Sequence, residues 1–281
     1  MNNCPLISMD LARKVAIAST LAIGATTALT ASAMAATLKV TVDSLAPTDG
    51  NFLTPVWVGF HDGSFDIYDR DVSLDGFGGT EALVEDGETG PLSARFDSEV
   101  SGGSQGTLNG PNIPPLAPGE STSFTFEVDP TSGQYFSYAS MIIPSNDAFI
   151  ANGNPLAHQI FDDAGSFIGA DFIVTGAQVL DGGTEVNDEA EFSTAFLGQS
   201  ALNTGIDENG VVTLHPGFDP NGRVLAAFPG ADFTAPGYEV ARFRVELVDD
   251  QASVPEPGMI MGLLTLGGVL FAKRQFRQAQ A

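Results

Sequence analysis

Cysteine is almost missing from this 281-residue chain: the single one, Cys4, falls in a leading segment expected to be removed. No disulfide then braces the remainder, which leaves packing and bound cations to stabilise it. Positive charge is scarce too, with 11 Lys and Arg against 35 Asp and Glu and a net charge of −24. Affinity for nucleic acid comes from Lys and Arg set against phosphates, so no nucleic-acid partner is expected. Cations, or partners bridged by cations, suit such a chain; the plainer alternative is an acidic surface that serves solubility. Histidine is rare, and His61, His158 and His215 are scattered without a Cys or His neighbour at zinc spacing, so no transition-metal site is expected. Long helical periodicity is also lacking.

Short strands fill its place. Leu38, Val40 and Val42 alternate with Thr37, Lys39 and Thr41, the pattern of a half-buried strand. Pro47 to Gly50 read as a turn, and Pro55 to Phe60 as a second strand. Phe124, Phe126 and Val128 share one face of a third. Near the end of the body Ala241, Phe243, Val245 and Leu247 face one way, with Arg242, Arg244 and Glu246 opposite. Gly79 to Asp86 has the composition of one short helix, 98–120 reads as a long Gly-, Ser- and Pro-rich surface loop, and Asp207 to Gly210 as a hairpin turn before Val211 to His215. Many short strands separated by turn signals predict an all-β protein, an antiparallel β-sandwich in one domain over 36–249 without internal repeats.

Two units at the centre are alike: an apolar run that ends in an acidic loop. One runs from Tyr138 to Phe149 and the other from Phe172 to Glu189. If their strands are neighbours running the same way, Asp147, Asp181 and Glu185 converge at one end of a sheet. Three hard oxygen ligands on loops suit Ca2+, which takes six to eight oxygens and tolerates irregular loop geometry. The alternative is that these are ordinary turn residues, since Asp and Asn bond their own backbone and Gly182-Gly183 is a common turn.

The two ends differ in kind from the body. Residues 1–35 have the layout of a secretory signal peptide: Arg13 and Lys14, an apolar stretch from Val15 to about Leu29, and small residues at Ala33 and Ala35 for cleavage. At the other end, 250–257 forms a linker, and 258–281 holds fifteen apolar or small residues followed by Lys273, Arg274 and Arg277. Fifteen helical residues reach roughly 22 Å, short of the ~30 Å hydrocarbon core, so this short transmembrane helix is a marginal anchor with its basic end in the cytoplasm.

The tail resembles the PEP-CTERM sorting signal, through Pro255, Glu256 and Pro257, the short apolar helix and the basic end. That resemblance implies a Gram-negative bacterium that makes exopolysaccharide, transient anchoring in the inner membrane, and processing by an exosortase-type enzyme. The body resembles a spondin N-terminal domain. The stretches that carry the likeness are Val40 to Pro47, Thr54 to Asp62, Glu81 to Gly87, Ala117 to Glu120, Ser140 to Phe149 and Asp181 to Glu189. In animal F-spondin relatives this domain is a C2-like β-sandwich that binds Ca2+ through acidic loop residues; carried over, the ligands fall on Asp147, Asp181 and Glu185. Glu185 stands where the animal proteins have Asp, so its longer side chain alters the coordination geometry.

Three other patterns are weaker. Gly102 to Gly106 matches a hydrolase nucleophile elbow but lacks a strand before it and a helix after it. Asp69, Asp71, Ser73 and Asp75 begin like an EF-hand loop, yet Leu74 stands where Gly is needed and Thr80 where Glu is needed, leaving at most a weaker second cation site. Trp57, in mid-strand, reads as core rather than as a sugar-stacking platform. The whole describes an exported, calcium-binding, non-catalytic surface or matrix protein, whose cation could bridge to anionic exopolysaccharide. A carbohydrate-binding module and, further off, a secreted hydrolase are the alternatives.

Overall fold

The computed structural model describes residues 35–111 and 115–248. In chain order its elements are β1 (Ala36–Ser44), β2 (Phe52–Leu53), β3 (Val56–His61), α1 (Thr80–Asp86), α2 (Thr89–Glu99), β4 (Ser104–Leu108), β5 (Ser121–Val128) and β6 (Tyr135–Ile143). There follow β7 (Ala148–Ala151), β8 (Ala170–Thr175), β9 (Leu180–Asp181), β10 (Thr213–Leu214), α3 (Arg223–Ala227) and β11 (Glu239–Leu247). They form two antiparallel sheets, one ordered β5-β1-β11-β8 and the other β10-β9-β7-β6-β3-β4 with β2 paired to β6.

Alternation in the sequence sets the faces. In β1, Leu38, Val40 and Val42 are all fully buried, and across the ladder Val42 meets Phe243 and Val40 meets Val245. These side chains pack with Val58, Phe60, Phe136 and Ile150 of the larger sheet into the main core. The larger sheet is covered on its other face as well. Trp57, pointing away from the main core, packs with Phe65, Phe96, Leu83 and Phe149 beneath α1 and α2. Its indole N–H donates to Gln105 Oε1 at 3.0 Å, so Trp57 is a core residue, as expected.

Four expectations are corrected. First, the Tyr138 and Phe172 strands do not run side by side: β6 lies in the larger sheet and β8 in the smaller. The apolar run after Phe172 breaks at a one-turn 3-10 helix, Gly176–Gln178, and only beyond it does β9 join the larger sheet. Thr175 N–H donates to Gln178 Oε1 at 2.9 Å, and a Cβ on Gly176 would stand 1.8 Å from the Phe233 carbonyl oxygen, so the chain turns where only glycine fits. Second, 98–120 is not one loop, because it contains the end of α2 and all of β4. α2 forms because Leu92 and Phe96, four residues apart, bury one stripe against Trp57.

Third, Phe124 does not share the burial of Phe126 and Val128. On edge strand β5 it is 56% exposed and meets Phe126 edge-on at 5.1 Å. Leu247, at the end of β11, is likewise exposed. Fourth, 207–210 makes no hairpin turn: it runs alongside the 183–185 segment, with Glu208 N–H donating to Thr184 O at 2.8 Å and Gly210 N–H to Gly183 O at 2.7 Å, and β10 pairs with β9.

The signal segment up to Ala33, the linker, Pro255, Glu256 and Pro257, and the apolar tail lie outside the described residues. Among the described residues no helix is long and apolar enough to cross a membrane.

Candidate metal centre

Asp147 ends the connection from β6 to β7, and Asp181 ends β9. The β7–β9 ladder pairs Ala148 with Asp181, which sets the two aspartates on neighbouring strands of the larger sheet, with β10 outside them. They converge through antiparallel pairing, not through the parallel arrangement expected from the sequence. Asp147 is fully buried. Its Oδ2 accepts from Thr184 N–H at 3.1 Å, Thr184 Oγ1 at 3.3 Å and Glu185 N–H at 3.2 Å, whereas Oδ1 has no partner. Burial first, and then the charge of Asp181, hold the Asp147 carboxyl well above the usual carboxylate range. Both Asp181 oxygens are engaged: Oδ1 accepts from Gly183 N–H at 2.9 Å and Oδ2 from Asn187 Nδ2 at 2.7 Å.

Glu185 is placed differently. Its backbone bridges to Asp207, and its Oε1 accepts from Gly205 N–H at 2.8 Å. Oε2 is buried without a partner. Burial, reinforced by Asp86, Asp188 and Asp207, pushes Glu185 up to about 7. The predicted trio is thus divided. Asp147 and Asp181 form one pair, while the Glu185 side chain turns to the Gly205 amide and feels the charges of Asp86, Asp188 and Asp207.

Glu85 is 6% exposed, and burial, with the charge of Glu185 the largest of those acting on it, pushes it up to about 7. The Thr184 hydroxyl donates to Asp147 Oδ2 at 3.3 Å. Basic residues do not resolve the imbalance: among the described residues the ion pairs are Arg95–Glu99, Arg223–Glu191, Arg242–Asp171 and Arg244–Asp43, none of which involves this cluster.

The donor set is all hard oxygen, and two buried carboxylate oxygens are orphaned, which fits a hard cation. The fit is incomplete in one respect. Among the described residues no three His, Cys, Asp or Glu side chains stand close enough together to hold a metal ion. A cation beside Asp147 therefore needs backbone carbonyls, water or a shift of neighbouring side chains to complete its shell.

The remaining motifs settle into structural places. Ser104 opens β4 shortly after helix α2, the reverse of the strand-then-helix order of a nucleophile elbow. In the EF-hand-like loop, Ser73 Oγ accepts from Asp75 N–H at 3.3 Å and Leu74 is buried, which makes a cap for a 3-10 turn. His61 is buried against Ser137 Oγ at 2.8 Å, and the His158 ring stacks on Phe172 at 3.8 Å. His215 Nδ1 accepts from Gly217 N–H at 3.0 Å, leaving its buried Nε2 unpartnered. Compared with known proteins, the chain matches no family model and no curated protein.

Proposed function

We propose that this is an exported, calcium-binding, non-catalytic protein of the bacterial surface or extracellular matrix, built on a C2-like sandwich of the spondin N-terminal kind. The observation that carries the reading is Asp147, fully buried beside Asp181 with one carboxylate oxygen unpartnered and no basic residue paired to it. An ionised carboxylate left this way costs several kcal/mol unless a proton or a cation joins it. In a calcium-rich exterior the cation is Ca2+, taken by Asp147 and Asp181 with Glu185 completing the set.

The sorting-signal resemblance at Pro255, Glu256 and Pro257 supports a location outside a Gram-negative cell after an exosortase-type step. There a cation with open positions offsets the repulsion between this acidic chain and anionic exopolysaccharide. Extracellular modules bind Ca2+ with Kd of about 10⁻⁴ to 10⁻³ M. At ~1 mM Ca2+ and a Kd of ~0.1 mM, binding adds about 1.4 kcal/mol to stability, a useful share for a domain without disulfides.

Calorimetric Ca2+ titration of the full-length chain, beside Asp147→Ala and Asp181→Ala, tests this. Saturable binding lost in both variants, with a calcium-dependent rise in Tm of the parent only, is expected. A parent that binds no Ca2+ overturns the reading.

A second reading, direct carbohydrate binding, draws on a groove of about 730 Å3 lined by Tyr68, Arg70, Tyr138, Asn154, His158 and Gln178. Glycan binding that persists in EDTA and is lost in Arg70→Ala would favour it over calcium bridging.

A further inference from the structure

Away from the acidic cluster, two more buried side-chain atoms lack a partner: Thr194 Oγ1 and His215 Nε2, on residues 1% and 7% exposed. Both residues line one cavity of about 30 Å3. That is room for a single hydroxyl or water oxygen and too little for a ring. His215 Nδ1 accepts from Gly217 N–H at 3.0 Å, so in the neutral imidazole the proton sits on Nε2. Burial, opposed by the charges of Asp181 and Glu189, lowers the pKa of the ring and keeps it neutral. The cavity thus offers one N–H donor and one hydroxyl, and a single oxygen between them satisfies both.

Asn187, Glu189 and Asp219 line this cavity and also a surface groove of about 630 Å3, a size common among small-ligand sites. Their shared wall is held firmly. Glu189 Oε1 accepts from Asp219 N–H at 2.8 Å and Oε2 from Val224 N–H at 2.9 Å, which clamps the segment leading into α3. Under that clamp Glu189 keeps a φ of 50°, rare for a residue other than glycine, and a Cβ on Gly222 would stand 2.2 Å from its Oε2. The groove also presents the Phe192 ring, 53% exposed. Its charges are Asp188, Glu189, Glu191 and Asp219 against Arg223, which already stands 4.0 Å from Glu191. Such a lining repels an anionic ligand.

We propose that this groove binds a neutral sugar, one hydroxyl of which enters the cavity between Thr194 and His215. A C–H face of the sugar ring rests on Phe192, and other hydroxyls donate to the carboxylates along the groove. An ammonium ligand suits the charge but not the cavity, where His215 Nε2–H needs an acceptor. The inference rests on the carbohydrate reading above for its ligand class, places that ligand on different residues, and is independent of calcium.

The test is calorimetric titration of the full-length chain in EDTA, beside Phe192→Ala, Thr194→Val and Arg70→Ala. The probes are neutral hexasaccharides of glucose, mannose and galactose, with hexagalacturonate and hexalysine as charged counterparts. The expected result is saturable binding of a neutral hexasaccharide and of neither charged probe, weakened about tenfold in Phe192→Ala and severalfold in Thr194→Val. Without sugar, Thr194→Val is expected to melt at or above the parent, since the hydroxyl it removes has no protein partner. A valine chain that melts well below the parent overturns the inference, by assigning that hydroxyl to a resident water and the fold. Binding lost in Arg70→Ala but unchanged in Phe192→Ala and Thr194→Val overturns it too, and leaves the carbohydrate reading standing at the groove of Tyr68 and Arg70. No neutral sugar bound, or a charged probe bound in its place, overturns it whatever the Ca2+ titration gives.

Discussion

Glu185 shows how closely this site is packed around single residues. Its carboxylate reaches the Gly205 amide only because position 205 has no side chain: a Cβ there would stand 1.9 Å from Glu185 Cδ. Gly205→Ala must therefore expel the carboxylate or move the backbone. Overpacking of this kind costs about 1–3 kcal/mol, to be read in calcium-free urea unfolding. Gly90→Ala is the control. Gly90 lies in the first turn of α2 with nothing within 4 Å of the added methyl, so alanine there is expected to change stability by less than about 1 kcal/mol. Equal effects at the two positions would mean that the Glu185–Gly205 contact carries no strain to relieve. Tyr238 makes a second single-residue case. Its hydroxyl donates to Asn51 Oδ1 at 2.7 Å and accepts from Asn51 N–H at 3.3 Å, both buried. Tyr238→Phe leaves a buried amide bare, at a cost of about 1–3 kcal/mol in the same measurement.

At the scale of elements, what the sequence reveals depends on how each strand is buried. β1 and β11 have one face in the core and one in water, so alternation marks them without ambiguity. β6 is buried along nearly its whole length and reads only as an apolar run. The continuous run from Phe172 to Leu180 hides a change of sheet, because the 3-10 turn at Gly176–Gln178 rests on a close approach to Phe233 that no local pattern signals. α2 is hidden for another reason: it buries only Leu92 and Phe96, too few to show a period. Asp147 and Asp181 are legible because each ends an apolar run, yet the pairing that joins them is not, since β7 and β9 are four and two residues long. The burial of Glu85 is illegible; a glutamate in a short helix looks solvated until the helix is seated on the sheet. If Asp147 and Asp181 hold the cation, the amides of β7 and β9 should be the part of the described chain whose hydrogen exchange slows most on adding Ca2+. Exchange slowed equally throughout would instead report a general rise in stability.

For the whole molecule the balance of buried charge sets the response to acid. His61 and His158 are both pushed down to about 4, by burial in each case, with Asp62 opposing the shift at His61. The folded state keeps these rings neutral while the unfolded chain, with imidazoles near 6.5, takes up protons. Between pH 6.5 and 4 the unfolded state thus binds more protons, and stability falls as pH falls. A shift of that size is worth roughly 3 kcal/mol per ring over the full window. Glu85 and Glu185, pushed up to about 7, carry the opposite sign, since in the folded state they bind protons that the unfolded chain releases. The two sets act in overlapping windows, so the parent's stability alone is a poor probe. The difference between parent and His61→Gln/His158→Gln isolates the histidines, because the carboxylates are common to both. Urea unfolding at pH 7 and at pH 4.5 is expected to show the parent losing several kcal/mol more than the double variant. Parallel losses would mean that both rings are already accessible to protons in the folded chain, and that the packing of His61 on Ser137 and of His158 on Phe172 opens in solution.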